Sequence, residues 1–384
     1  MNPNGSTTRS AADVLLAAVR PLILAGPEAA PARAEILGLA RKLGAPLLTT
    51  PDAKSLFDGR HSIGVFSLGS SALSRRVVDE ADVVLAVSPL GEFSCRLGRA
   101  FRHLRVIQIS DSIANVAHAD LPELVLVSPC VADLLRELRA SLACILAKPR
   151  ARWLGDAARR VPSAETPSTR AGVIHPLTAI RAIESALPDT VRLCLDVSSA
   201  ALYAYEHIEL RPGQRVFSSI EKSACMTEAL LASLGVRLAS GAPTLTLVGD
   251  WGFCMAPDEL HTAVQLGLDR YAVVIWDNHG GAFIGTGTAQ QGIRVPDDTW
   301  RFRPGPHFAR IARGYGAEGI TARAGEELSR AVAHALEAPR PVLIQALIDP
   351  EIPVPAGDRF FSLGPCANQS AGDVESPALM GLES

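Results

Sequence analysis

Apolar positions along this chain fall into short unbroken runs separated by longer amphipathic stretches, and the two patterns alternate over most of its length. A short apolar run bounded by turn formers predicts a strand covered on both faces, and a run with helical spacing predicts a helix lying over it. The run Pro21-Leu22-Ile23-Leu24-Ala25, ending on Gly26, is the first strand, with a short helix over 11–19 before it. Helix 32–43, strand 46–49, helix 71–80 and strand 83–87 follow, and strands 104–109 and 124–127 with helix 131–143 complete a first unit. Residues 146–172, rich in Arg, Ala, Pro, Ser and Thr, read as a linker. The second unit runs through helix 175–187, strand 191–196, helix 200–207, strand 215–217, helix 229–238 and strand 245–248. It continues with a helix starting near Pro257, strand 272–276, helices 306–314 and 325–336 and strand 341–347. The expected class is α/β, with two doubly wound parallel-sheet domains over 11–145 and 173–349. Residues 1–10 are expected to be a disordered tail and 350–384 a mobile one.

Composition narrows the possible functions. The chain has 384 residues, 48% hydrophobic and 20% charged, with a net charge of −3, so neither nucleic acid nor a membrane surface is an expected partner. No apolar run reaches the about 18 residues of a membrane helix, and the N-terminus lacks a signal-peptide pattern. Seven scattered cysteines without CxxC spacing point to reduced thiols and a cytoplasmic protein. The turn after the first strand, Gly26-Pro27-Glu28-Ala29-Ala30, has one glycine where a dinucleotide fingerprint needs three, so a bound NAD(P) is not expected.

Candidate chemistry gathers in the second unit. Its strand 245–248 ends at Gly249-Asp250 and strand 272–276 at Asp277-Asn278, and in a parallel sheet both ends open on one edge. Asp250 and Asn278 could meet there as two oxygen ligands, a set that suits Mg²⁺ when completed by a carbonyl, phosphate oxygens and water. Ser198 and Ser199 occupy a strand-to-helix turn, where hydroxyls either donate to phosphate or cap the helix.

Gly249-Asp250-Trp251 followed by Asp277-Asn278 resembles the cofactor motif of thiamine diphosphate (ThDP) enzymes, Gly-Asp-Gly and then Asn-Asn one strand later. The family's third Gly is Trp here and its first Asn is Asp. The interior GFCMAPDELHTAVQLGL also looks like the family's helix. The first unit resembles the middle domain of the acetolactate synthase and benzoylformate decarboxylase group, through 15–26, 43–50 and 80–87. In acetolactate synthases that domain holds FAD, partly through an arginine-rich segment. The corresponding Ser88-Pro89-Leu90-Gly91-Glu92-Phe93 lacks it, so FAD is not expected.

The resemblance implies site roles residue by residue. Asp250, Asn278 and the carbonyl of Gly280 would bind Mg²⁺. Ser198, Ser199, Gly249, Trp251 and Gly252 would lie along the cofactor. Met226 would prop ThDP into its bent form, or simply fill core, and the Ala224 carbonyl would meet the aminopyrimidine. The glycines that flank the prop in the family have become Cys225 and Thr227. His279 is a candidate acid–base group or a surface residue. Relatives also carry a pyrimidine-binding domain that supplies an activating glutamate. The expectation is therefore a diphosphate-binding subunit of a split enzyme of 2-oxo acids, decarboxylase or carboligase, hetero-oligomeric with a separate pyrimidine-domain subunit. Leu230, Leu231 and Leu234 are expected on the partner-facing surface. The alternative is a non-catalytic or regulatory relative that keeps the fold, and Trp251, Cys225, Thr227 and Asp277 speak for it.

Overall fold

The computed structural model describes residues 4–67, 71–87, 101, 103–113, 116, 122–142, 170–218, 220, 224–290 and 292–355. The first unit carries β1 (Pro21–Ala25), β2 (Leu47–Thr49), β3 (Val83–Val87), β4 (Arg105–Ser110) and β5 (Pro122–Val127). All pair in parallel, in the order β2-β1-β3-β4-β5. Every residue of β1 and β3 is buried, because layers cover both faces of the sheet. One layer joins Ile23, Leu85 and Ile107 to Leu39 of α2 (Arg33–Leu43) and Leu135 of α4 (Val131–Ser141). The other joins Leu22, Leu24 and Val84 to Val77 and Val78 of α3 (Ala72–Glu80).

The first helix, α1 (Asn4–Ala17), starts well before the predicted position and overlaps the tail expected over 1–10. Thr8, Ala11, Ala12 and Leu15 are buried along it and it packs on α4, so a surface for this polar-looking segment exists only in the folded domain. Most of the linker expected over 146–172, the segment 88–93 and the tail from 356 lie outside the described residues.

The second unit is a six-stranded parallel sheet in the order β10-β11-β9-β8-β6-β7. Its strands are β6 (Arg192–Leu195), β7 (Arg215–Ser218), β8 (Thr244–Gly249), β9 (Tyr271–Asp277), β10 (Glu318–Ala322) and β11 (Val342–Leu347). One face carries α5 (Pro176–Ala186), α6 (Ser199–His207) and α12 (Gly325–Ala335), packed on Leu193, Leu245, Val274 and Ile344. The other carries α7 (Glu228–Ser240) and α11 (Phe308–Gly314) against Val248, Val273 and Leu343. Between β6 and β8 the winding direction reverses. A reversal leaves a crevice at the carboxyl ends of the strands, where open α/β sheets bind ligands.

Three local features depart from the sequence pattern. β10 is an edge strand that the pattern does not reveal, since four of its five residues are only half-buried or exposed. A helix, α8 (Asp250–Met255), begins directly at Asp250 and stops before Pro257, which disfavours helical backbone at the residue before it. The expected helix appears only afterwards as α9 (Glu259–Gln265), and α10 (Ala282–Gln290) follows β9. On α7, Leu230 and Leu234 belong to the chain's own core, while Leu231 and Leu238 are exposed seven residues apart on one face. The units touch where Lys54 Nζ donates to the Tyr205 carbonyl at 2.8 Å. No helix among the described residues is long and apolar enough to cross a membrane.

Candidate active site

Register builds the site. β8 pairs with β9 from Thr244↔Tyr271 to Gly249↔Trp276, so the residues just beyond, Asp250 and Asp277-Asn278, emerge side by side. β6 lies on the other side of β8 and brings Asp196, Ser198 and Ser199 to the same edge. A Cβ added to Gly249 would stand 3.2 Å from the Ser198 Cβ, a close approach between the β8 end and the start of α6.

Asp250 is almost fully buried. Its Oδ2 accepts from the Gly280 N–H at 2.7 Å and its Oδ1 from the Trp251 N–H at 2.7 Å. Burial pushes its carboxyl up to about 8, and the neighbouring Asp277 charge adds to the rise. Backbone N–H groups from Gly280, Trp251 and Asn278 oppose it only in part. A buried carboxylate held by neutral donors alone gains strongly from a cation, and each oxygen keeps a lone pair for one. Asn278 is also buried, and its Nδ2 points to Ser199 Oγ at 3.5 Å. The amide orientation with Nδ2 on the hydroxyl leaves its carbonyl oxygen as the acceptor. A carboxylate and an amide oxygen form a hard-oxygen set that fits Mg²⁺.

Asp277 plays a different part. Its Oδ2 accepts from Gln345 Nε2 at 2.7 Å and its Oδ1 from the His279 N–H at 3.2 Å, so Gln345, which the sequence pattern does not single out, fixes the start of the following turn. That turn is pinned to 300–302 by Gly281 N–H to Trp300 O at 2.8 Å and Phe302 N–H to His279 O at 2.9 Å. His279 itself is exposed, with φ 64°, and its Nδ1 lies 3.8 Å from Asp277 Oδ1. Its ring rests beside Gly305, where an added Cβ would stand 3.2 Å from the His279 Nδ1.

The serine pair divides its roles. Ser198 is the N-cap of α6: its Oγ accepts from the Ala201 N–H and donates to the Asp196 carbonyl. Ser199, the first residue of the helix, is the one whose hydroxyl meets Asn278. Trp251 lies over Gly281, where an added Cβ would come within 2.9 Å of the indole. Gly252 packs into the interior: a Cβ there would stand 2.9 Å from Asp196 Oδ2 and 4.0 Å from Met226 Cε. Met226 is half-buried in a turn in which Ala224 (φ 50°) and Thr227 (φ 74°) are both left-handed. Glu221 lies outside the described residues.

Asp196 is the residue that sequence reasoning passes over. Fully buried, it accepts from the Thr227 N–H at 2.9 Å and the Ala229 N–H at 3.1 Å, and burial raises its carboxyl to about 6. The sequence signal was available, since it ends a buried strand just as Asp250 does.

Two raised carboxyls give the metal-free protein a pH-dependent stability of definite sign. Between the ordinary carboxylate range near 4 and their folded values, the unfolded chain releases protons that the folded chain retains. Stability should therefore fall as pH rises, through about 6 for Asp196 and about 8 for Asp250, by up to about 1.4 kcal/mol per unit and group. Thermal unfolding between pH 5 and 9 in the presence of chelator checks this, and a melting temperature that climbs over that range contradicts it.

Residues 8–138 match the central domain of thiamine pyrophosphate enzymes, and residues 196–346 match their C-terminal TPP binding domain. Similar proteins include a benzoylformate decarboxylase of Pseudomonas aeruginosa, 27% identical over 85% of this chain and 60% of that protein. An acetolactate synthase large subunit of Parasynechococcus marenigrum is 25% identical over 98% of the chain and 61% of its own length. A pyruvate oxidase of Lactiplantibacillus plantarum is 26% identical over 94% and 60%. The chain thus spans about 60% of the length of the relatives it matches. With both domains matched in order, and with an acid and an amide meeting at the ends of β8 and β9, the chain belongs to the thiamine pyrophosphate enzyme family, of which it carries the central and the C-terminal TPP binding domains.

Proposed function

We propose that this chain supplies the metal–diphosphate half of a ThDP- and Mg²⁺-dependent catalytic unit acting on a 2-oxo acid, by decarboxylation or carboligation. The observation that carries the reading is the buried Asp250 carboxylate, held by backbone N–H groups alone and emerging beside Asn278. Asp250, the Asn278 amide oxygen and the Gly280 carbonyl would hold Mg²⁺, and Ser199 with the start of α6 would meet the diphosphate. ThDP bound there supplies the nucleophilic carbon and the electron sink that 2-oxo acid chemistry requires. The chain's part is to hold, orient and exclude water: Met226 and Gly252 close one side, and the Trp251–Gly281 contact closes the approach to the 279–281 turn.

In this reading the activating acid comes from a separate pyrimidine-domain subunit. Three carboxylates at this edge already hold the site together: Asp196 holds the Met226 turn, Asp250 the 280 turn, and Asp277 is tied to Gln345. Two outcomes are expected. Calorimetric titration with ThDP and Mg²⁺ should give one site per chain, and the purified chain should turn over no pyruvate, benzoylformate or branched 2-oxo acid until a pyrimidine-domain protein is added. Turnover by the chain alone removes the split arrangement, with Glu228 at the start of α7 the first acid to examine. A non-catalytic relative is favoured by one observation, the indole of Trp251 in place of the family's glycine. Such a protein would bind no ThDP in the same titration.

A further inference from the structure

We propose that Asp196 is a positioning residue that sets Met226 against the cofactor side of the site, by gripping the turn that carries it. The inference rests on the reading of the site as a ThDP site. Thr227 is β-branched and left-handed, a conformation that a residue with a Cβ rarely adopts, and Ala224 three positions earlier is left-handed too. Such a turn persists only when its surroundings hold it. The Thr227 side chain makes no capping bond to α7, although Thr227 occupies the N-cap position.

The holding group comes from the end of β6. Asp196 Oδ2 takes the Thr227 N–H and Oδ1 the Ala229 N–H, so a carboxylate distant in sequence caps α7. The same Oδ2 is the atom that a Cβ on Gly252 would strike, and Met226 Cε lies 4.0 Å from that position. One carboxylate therefore joins three parts of the site: the β6 end that leads to Ser198 and Ser199, the Met226 turn, and α8, which begins with Asp250. An amide cannot replace it. Asn accepts one N–H through its oxygen and turns its own NH₂ toward the other.

Four proteins test this: the unaltered chain, Asp196→Asn, Thr227→Gly and the double variant. Hydrogen exchange of the segment 224–230 should accelerate at least tenfold in Asp196→Asn, with α12 unchanged. ThDP affinity with Mg²⁺ should fall about tenfold, while affinity for inorganic diphosphate with Mg²⁺ stays within twofold, because the turn faces the rest of the cofactor. Thr227→Gly alone should raise the melting temperature by about 2–4 °C by relieving the left-handed strain. In the double variant it should recover most of the lost ThDP affinity. Unchanged exchange in 224–230, or equal losses for ThDP and diphosphate, overturns the proposal. Should Asp196→Asn fail to fold, Thr227→Gly decides: a lowered melting temperature shows an unstrained turn and overturns it as well. Absence of ThDP binding by the unaltered chain, with 224–230 still protected, would instead overturn the cofactor reading and leave the grip itself measured.

Discussion

Asp250→Ala is expected to abolish measurable Mg²⁺-dependent ThDP binding, a loss of at least about a hundredfold, while raising the melting temperature of the metal-free protein. The two signs come from one cause. The carboxyl is buried, lies close to Asp277 and is opposed only by backbone donors, so the metal-free fold must either keep a costly charge or hold a proton that the unfolded chain releases. The same uncompensated charge is what a divalent cation would gain from, and removing one anionic ligand from a metal–diphosphate site weakens it by several kcal/mol, about a hundredfold or more. Asp250→Asn keeps the oxygen that accepts from Gly280 and should weaken binding less than Ala does. Calorimetry with ThDP and Mg²⁺, beside thermal unfolding with chelator, measures both effects. A falling melting temperature together with retained affinity would make Asp250 a structural acid.

Gly280→Ala should have the second large effect, a loss of more than about 3 kcal/mol in stability accompanied by loss of cofactor binding. Gly280 sits at φ 140°, outside the range that residues with a Cβ adopt, and is bridged to Arg301 in antiparallel fashion. An added Cβ would overlap the Trp300 carbonyl oxygen and stand 2.9 Å from Arg301 Cα, both of them backbone atoms with little room to give. Moving Gly280 also withdraws the N–H that orients Asp250 Oδ2. Urea unfolding and the ThDP titration test the pair of effects. A variant of near-normal stability would mean that the 300–302 segment moves freely, contrary to its two backbone hydrogen bonds with 279–281.

The architecture was legible in the sequence because its strands are covered on both faces. β1, β3, β8 and β9 read as unbroken apolar runs, and parallel pairing then puts their ends on one edge. Asp250 and Asn278 follow directly from this, since each stands just past the end of an apolar run. What the sequence hides is whatever depends on partners distant along the chain. Glu318–Ala322 gives no apolar signal, since β11 flanks it on one side alone and its faces are poorly covered. Asn4–Ala17 looks polar until α4 is there to bury Thr8 and Leu15. Leu230 and Leu231 are adjacent identical residues, yet one enters the core and the other faces out, because the strands beneath α7 set which side of the helix is covered. The left-handed Thr227 is the opposite of what its side chain prefers, and the Asp196 carboxylate that takes its N–H comes from 31 residues away in the chain.

The contact between Trp251 and Gly281 also couples two positions 30 residues apart. A Cβ at 281 would come within 2.9 Å of the indole, so a larger residue there is accommodated only if the ring shifts. What a substitution at 281 costs is therefore set by the residue at 251, and the two positions are best varied together.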